Sequence, residues 1–275
     1  AQQLAERRAA AEIAIKAAQA RKAERERLDE IGRDAAAEGA RDIWEAATVC
    51  TDHAYLAAKD VKPFGLRVAL GTISANLWDT YEGAFVRSQA VKAGDLLIPL
   101  SNADGVVVNL QRINSKGEKL FLKGARKKGT AYRIEGTEPA YIAEGYATAA
   151  TVHAATGQAV YVGLDAGNLA AVVDLRPGKI SAVAADNDKP DSKGKCAGET
   201  GAQATGLPFA MPPTVGQDWN DYAASNGLEA VAAELVKHVK PSPAGEPARP
   251  SFKLLDGFDL AANAKAPVYL IDEIL

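Results

Sequence analysis

Acidic side chains follow three predicted strands in the second half of the chain. Glu144 ends the run "AYIAEG" and Asp165 ends the run "AVYVGLD", whereas Asp186 and Asp188 lie at the end of "ISAVAADND". Helical segments separate these runs, and such alternation predicts a parallel sheet with right-handed crossovers. Because the carboxyl ends of parallel strands meet at one edge, we expect the four carboxylates to converge there. Carboxylates packed closely repel one another unless a cation neutralises them, and Mg2+ prefers such oxygen ligands.

The order of four short motifs adds a family resemblance to this chemistry. "EGYATA", "DAGN", "AADND" and "GQDWNDYA" occur in the order seen in the Toprim domain of DnaG-type DNA primases, and this chain resembles the plasmid and phage versions over about residues 50 to 237. The resemblance implies an α/β fold in which helices flank a Rossmann-like parallel sheet. It also implies metal-dependent catalysis by Glu144, Asp186 and Asp188, with a further metal contact at Asp218.

Three departures from the family pattern limit the number and type of metal ions that we expect. Many bacterial primases carry an aspartate four residues after the motif glutamate, but this chain has Thr148 there, so one metal ligand is missing. A second acidic pair is replaced by Asp218-Trp219-Asn220, which weakens the case for a second metal. The family's N-terminal zinc ribbon is not found in this sequence. We therefore expect one Mg2+ or Mn2+ and no zinc.

A basic segment precedes the acidic motifs. Residues 112–133 contain eight lysines and arginines against one acid, Glu118. Such side chains neutralise phosphates whether or not chemistry follows, and the alternative is a solvated hairpin face. The segment resembles the basic motif that contacts template and nucleotide in the primase family. Six residues of this segment and two polar residues at a strand end are expected to contact nucleic acid or nucleotide. The six are Arg112, Lys119, Lys123, Arg126, Lys127 and Lys128, and the two are Asp165 and Asn168.

Local patterns predict the elements that position these residues. The proline-free, Ala- and Glu-rich start predicts a long helix, read as a solvated connector in preference to a coiled coil or a partner-binding helix. Asp52 is placed to cap a short helix, and residues 102–105 predict a hairpin turn. The segment "EKLFLKGARKKGTAYRIEG" is expected to extend the hairpin's sheet. The predicted regions are an N-terminal helix (1–48), a small mixed α+β basic subdomain (49–137), the Toprim domain (138–240) and a proline-rich linker and tail (241–275).

Composition limits the possible partners and the cellular compartment of the protein. The 275 residues carry a formal net charge of -3, so the chain does not coat nucleic acid over its whole surface. Cys50 and Cys196 fit neither a disulfide framework nor a paired-ligand zinc site, which favours a reducing cytoplasm. No run approaches the roughly 20 apolar residues of a membrane span, so no membrane partner is expected.

These observations predict a DNA primase core that makes short primers on single-stranded DNA from nucleoside triphosphates. Two alternatives stay open: a Toprim nuclease, and a replication module that binds single-stranded DNA without catalysis. The last 24 residues resemble the lead-in to the RecA-like helicase domain of plasmid and phage primase-helicases, although no phosphate-binding loop follows. A replicative helicase, in cis or in trans, is therefore an expected partner.

Overall fold

The structure, a computed structural model, describes residues 2–79 and 81–238. The predicted linker and tail, residues 241–275, lie outside the described residues. Among the helices of the described part, none combines the length and the apolar character that crossing a membrane requires.

The predicted long helix is present as α1 (Gln2–Ala46). Ile13 and Ile15 are exposed, as expected of a solvated helix, but its last third is packed into the protein. Ala36, Ala40 and Ile43 are buried there against strands β3 (Ile73–Asp79) and β6 (Val107–Ile113). The two alanines on this face let the helix approach the strands closely. The end of α1 is therefore part of the packed structure, whereas residues 10–27 are exposed.

The first sheet is antiparallel and has the order β1-β2-β5-β6-β7. The predicted turn at residues 102–105 joins β5 to β6, and the Asn102 carboxamide oxygen accepts hydrogen bonds from the amides of Asp104 and Val106. Helix α2 is capped by the imidazole of His53, which accepts from the amide of Tyr55, so the predicted cap at Asp52 was wrong by one residue. The remaining elements of this part are β1 (Thr48–Val49), α2 (Ala54–Lys59), β2 (Arg67–Val68), β4 (Ala84–Val91), β5 (Leu96–Ser101) and β7 (Lys119–Phe121), with β3 and β4 paired separately.

The second sheet contains the predicted parallel strands, in the order β12-β11-β9-β10-β8. β9 is central and pairs in parallel with β10 and β11, whereas β8 is antiparallel at one edge. The expectation that residues 118–136 extend one sheet was therefore incomplete: β7 joins the first sheet, and β8 joins the second. The elements are β8 (Tyr132–Ile134), β9 (Thr137–Ala143), α3 (Tyr146–Thr156), β10 (Gln158–Val162), α4 (Leu169–Asp174), β11 (Ile180–Ala184), α5 (Ala197–Ala204), β12 (Phe209–Ala210), α6 (Trp219–Asn226) and α7 (Leu228–His238).

Alternate residues of the central strand face two different apolar cores. Tyr141 and Ala143 point to the side covered by α3, α6 and α7, whereas Ile142 points to the side of α4 and α5. This period of two places helices on both faces of the sheet, as the α/β prediction requires. The α3 side also contains Leu96 and Ile98 of β5, so one apolar core joins the two sheets.

Helix α1 is docked through Gly32. A methyl group at this position would lie 2.2 Å from Cγ of the buried Trp78 side chain, whose indole N–H donates to Asp29 Oδ1 at 3.0 Å. Gly39, one further glycine of the same helix, has nothing within 4 Å of the corresponding point. The two glycines therefore provide a matched pair for substitution.

We expect Gly32→Ala to lower the free energy of unfolding by about 1–3 kcal/mol, because the added methyl group overpacks against Trp78. Gly39→Ala should raise it by up to about 1 kcal/mol through helix propensity alone. Urea denaturation followed by tryptophan fluorescence measures both effects. Equal effects of the two substitutions would contradict the docking of α1 on Trp78.

Candidate active site

The acidic residues lie together at the carboxyl edge of the parallel sheet. Glu144 directly follows β9, and Asp165 follows β10 by three residues. Asp186 and Asp188 follow β11, the neighbour of β9 on its other side. Since β9 pairs in parallel with both neighbours, the three strand ends bring these carboxylates to one edge.

Burial and mutual repulsion make the site electrostatically unfavourable for carboxylates. Burial, followed by the charges of Glu144 and Asp218, raises the pKa of Asp186 to about 7. Burial, followed by the charges of Asp188 and Asp165, also raises the pKa of Glu144 above its ordinary value. The pKa values of Glu144 and Asp186 therefore respond to the carboxylates around them, and a site of this kind favours a proton or a cation.

Thr148 contacts Asp186 directly. Its hydroxyl group donates to Asp186 Oδ1 at 3.1 Å from the first turn of α3. The position at which the family has an aspartate therefore supplies a hydroxyl group that is hydrogen-bonded to Asp186. This bond fixes one oxygen of Asp186 and opposes the rise in its pKa, because it favours the charged form.

Asp188 is held at the start of α5. Its Oδ2 accepts a hydrogen bond from the amide of Gly198 at 2.9 Å, which stabilises a carboxylate at the positive end of a helix. Among the described residues, no three histidine, cysteine, aspartate or glutamate side chains are grouped tightly enough to hold a metal ion. Glu144, Asp186 and Asp188 share this edge without forming such a group, and their role as metal ligands stays a prediction.

Asp165 lies beside the basic segment. It forms an ion pair with Lys127, whose ammonium group also lies 4.5 Å from the centre of the Phe121 ring. The preceding residue, Leu164, has a φ of 78°, a strained left-handed backbone for a leucine. Asp165 therefore connects the acidic edge to a residue of the basic segment.

Asn168 has a structural position instead of the expected nucleotide contact. Its side chain is 4% exposed, and its oxygen accepts from the amide of Gly129 at 2.7 Å. Its amide group donates to the carbonyls of Thr130 and Gly163 at 3.0 and 2.7 Å. Because these three bonds occupy the carboxamide and bury it, Asn168 holds the end of the basic segment against the sheet.

Asp218 caps helix α6. Its side chain accepts from the amide of Asp221 at 2.7 Å, and Asp221 reaches back to complete a capping box. Lys59 lies 3.8 Å from one Asp218 oxygen. The charge of Asp218 contributes to the raised pKa of Asp186, so Asp218 borders the acidic site. Its carboxylate is at the same time the N-terminal cap of α6.

Most of the predicted basic contacts are paired with acids. Arg112 lies 3.0 Å from Asp95, and both side chains are largely buried, so the structure does not support a nucleic-acid contact by Arg112. Lys123 pairs with Asp79 and Arg126 with Glu30, although both cations are about half exposed. Lys119 lies 5.7 Å from the centre of the Tyr55 ring, and its charge opposes the rise in the pKa of Glu144. Lys128 is exposed.

Arg176 helps to hold the basic segment in place, a role that the sequence did not predict. Its guanidinium group donates to the carbonyl oxygens of Gly129, Ser101 and Asn102 at 2.9, 3.0 and 3.0 Å. Burial lowers the pKa of Arg176. An arginine after a helix gives no sequence signal for this role, because its partners lie 47 to 75 residues away.

The raised pKa of Asp186 predicts a dependence of stability on pH. The folded protein holds this proton up to about pH 7, whereas the unfolded chain releases it near the ordinary value of 3.8. The contribution of Asp186 to the free energy of unfolding is therefore fully present below a pH of about 3.8. This contribution is lost as the pH rises through the folded pKa of about 7. The slope is at most about 1.4 kcal/mol per pH unit.

We expect Asp186→Asn to be more stable than the unsubstituted protein at about pH 8 in a chelator, and to lose most of that advantage at about pH 4. Thermal unfolding across this range provides the measurement. Asp104→Asn, in the exposed β5–β6 turn, is the control and should show no such trend. Parallel stability curves for Asp186→Asn and the unsubstituted protein would contradict the raised pKa.

Comparison with known proteins agrees with this architecture. A family model described as the Toprim domain matches residues 139–229, which contain all the acidic residues of the site. Two curated relatives are DNA primase TraC proteins of Escherichia coli. One is 40% identical over 102 residues, which cover 34% of this chain and 10% of the relative. The other is 34% identical over 131 residues, which cover 42% of this chain and 9% of the relative. The chain thus spans about a tenth of the length of these relatives.

Solved primase structures are also similar. The RNA polymerase domain of Mycobacterium tuberculosis primase DnaG has a TM-score of 0.47 and 15% identity, covering 76% of this chain and 83% of that one. A DnaG primase catalytic domain bound to single-stranded DNA has a TM-score of 0.47 and 12% identity, with coverage of 78% and 82%. Residues 139–229 thus match the Toprim domain, and 34% and 42% of the chain are similar in sequence to two DNA primases.

Proposed function

We propose that this chain is the catalytic core of a DNA primase, which makes short primers on a single-stranded DNA template by metal-dependent nucleotidyl transfer. The observation that carries the proposal is the group of mutually repelling carboxylates at the carboxyl edge of a Toprim sheet. The substrates would be nucleoside triphosphates and the growing primer. A nuclease or a non-catalytic DNA-binding module would use the same fold without primer synthesis.

Glu144, Asp186 and Asp188 would hold Mg2+ or Mn2+ in this proposal. The chemistry of the donors fits such an ion, because all three are carboxylates. Burial, and after it the charge of neighbouring carboxylates, raises the pKa of Glu144 and of Asp186, and a bound cation would oppose that rise. Their described spacing does not form a closed ligand set, so binding would involve bridging water. When bound, a divalent ion supplies neutralisation of phosphate charge and of the leaving pyrophosphate.

The chain's own residues would prepare this site. Thr148 holds one oxygen of Asp186, and the amide of Gly198 holds one oxygen of Asp188, so each aspartate keeps one orientation. Burial of Asp186 and Glu144 limits screening by water and strengthens interactions with a bound cation. Lys127 and Lys128 lie at the end of the segment that Asn168 attaches to the sheet, where they would contact template phosphates.

A helicase partner remains a prediction. It rests on residues 252–275, which lie outside the described residues. The proposed activity does not depend on that partner, since a template, nucleotides and a divalent ion are sufficient reactants for primer synthesis.

Primer synthesis on a single-stranded template tests the proposal. We expect products with Mg2+ and none with a chelator. Asp186→Asn and Asp188→Asn should each lower the rate by at least about 100-fold, because loss of one ligand charge weakens metal binding. Both variants should remain folded, since asparagine keeps the oxygen that accepts from Thr148 or Gly198 and relieves repulsion.

Asp104→Asn is the matched control for these variants and should retain the full rate. Strand cleavage without primer synthesis would identify a nuclease. Single-stranded DNA binding without either reaction would identify a non-catalytic module. Full synthesis by Asp186→Asn would exclude the proposed site.

The basic segment yields a separate prediction for template binding. Replacing Arg126, Lys127 and Lys128 together by alanine should weaken single-stranded DNA binding. It should also reduce the slope of log affinity against log salt by about 2, since each lost phosphate contact contributes about 0.7. Fluorescence anisotropy at several salt concentrations measures this slope.

The control for this variant removes equal charge from distant exposed sites, by alanine at Lys16, Lys22 and Lys179. Lys16 and Lys22 lie on the exposed part of α1, and Lys179 precedes β11 at the opposite end of the strand from Asp186. An equal change of slope in both variants would show that overall charge, not the basic segment, determines binding.

A further inference from the structure

A second basic element, the lysine loop of residues 189–195, adjoins the acidic site. It contains Lys189, Lys193 and Lys195 and a single acid, Asp191, and all seven residues are exposed. The sequence here is hydrophilic and gives no apolar pattern, and the structure has no regular element before α5 begins at Ala197. The loop separates the two aspartates that follow β11 from that helix.

Internal hydrogen bonds give the lysine loop a defined conformation. Asp191 Oδ1 accepts from the backbone amides of Lys193 and Lys195 at 2.8 and 2.9 Å. The amide of Asp191 donates to the carbonyl of Lys195 at 2.9 Å, and Gly194 has a φ of 75° that closes the turn. The carboxylate of Asp191 is thus used to organise the backbone, which leaves the lysine ammonium groups free of it.

Both ends of the lysine loop are attached to the acidic site. The loop starts directly after Asp188, whose carboxylate accepts from the amide of Gly198 beyond its other end. Cys196 Sγ lies 4.0 Å from the carbonyl oxygen of Asp186. Gly198 packs so closely on that carbonyl that a methyl group there would be 2.2 Å from its oxygen. The loop therefore leaves the site and returns to it within a few residues.

The lysine loop differs from the basic segment in its ion pairs. Arg112, Lys123 and Lys127 of the basic segment each pair with an acid. By contrast, Lys189, Lys193 and Lys195 form no ion pair with any residue in the described ranges 2–79 and 81–238. The loop thus presents uncompensated positive charge close to carboxylates that would hold a divalent ion.

We propose that the lysine loop binds the triphosphate group of the incoming nucleoside triphosphate. This inference rests on the proposed function, because it assigns the substrate of the same site. A triphosphate is a compact polyanion that accompanies a divalent ion, and the loop places three cations within one short turn fixed to Asp186 and Asp188. An extended DNA strand fits better along the basic segment, which runs over more than 20 residues.

The test is direct binding of ATP in the presence of Mg2+, measured by calorimetry on the full chain. Lys193→Ala combined with Lys195→Ala should weaken binding about tenfold through loss of two phosphate contacts. The fold should be unaffected, because Asp191 binds only the backbone amides of these residues. The equal-charge control, Lys16→Ala with Lys179→Ala, should bind ATP as the unsubstituted protein does.

Asp191 provides a second, independent pair of variants. Asp191→Ala removes both acceptor bonds, so the loop loses its conformation and ATP binding should weaken severalfold. Asp191→Asn keeps an oxygen acceptor and removes a negative charge, and should bind ATP at least as tightly as the unsubstituted protein. Inorganic triphosphate should compete with ATP, since the proposed contacts are to phosphate and not to the base.

The outcomes separate this inference from the proposed function. Unchanged ATP affinity in the double lysine variant, or no ATP binding by the unsubstituted protein, would overturn the role of the loop. Weakened binding of single-stranded DNA with unchanged ATP binding would also overturn it and assign the loop to the template. Loss of ATP affinity as expected, in a protein that makes no primers, would support the loop while excluding the primase activity.

Discussion

Repulsion between carboxylates at the ends of neighbouring parallel strands is the constraint on which the rest of this structure depends. The sheet brings Glu144, Asp186 and Asp188 to one edge, and burial makes the charges of Glu144 and Asp186 costly. The surrounding groups oppose that cost: the hydroxyl of Thr148, the amide at the start of α5, and the charge of Lys119. None of them removes it, since the pKa values of Asp186 and Glu144 stay raised. A cation or a proton is therefore the natural complement of the site.

The basic segment is attached to this edge by polar side chains that contact no substrate in our proposal. Asn168 binds the backbone at Gly129 and Thr130, and Arg176 binds Gly129 and the β5–β6 turn. These main-chain groups are 38 or more residues away from Asn168 and Arg176 along the chain. The basic segment is therefore held beside the acidic edge by hydrogen bonds to its backbone, which do not depend on the charges of its lysines. The ion pair between Lys127 and Asp165 then lies at the boundary between the two.

The sequence predicted those features that depend on local pattern. Apolar runs ending in Glu144 or Asp186 located the strand ends, because period and flanking residues are properties of short segments. The role of Asn168 depends on Gly129 and that of Arg112 on Asp95, contacts set by tertiary register and absent from any local pattern. Asp218 was ambiguous for another reason, since an aspartate suits a helix cap and a metal ligand equally. The spacing of ligand oxygens depends on side-chain torsions, which the residue types do not determine.

The apolar core shared by the two sheets limits how the site can move. Leu96 and Ile98 of the first sheet pack in the same core as Tyr146 and Val152 of α3, the helix that begins beside Glu144. Separating the sheets would expose this core to water, at about 25 cal/mol for each Å2 of apolar surface. The two parts therefore unfold as one cooperative unit and do not rotate about a hinge. A fragment beginning at residue 138 would therefore leave the apolar face of α3 without part of its cover.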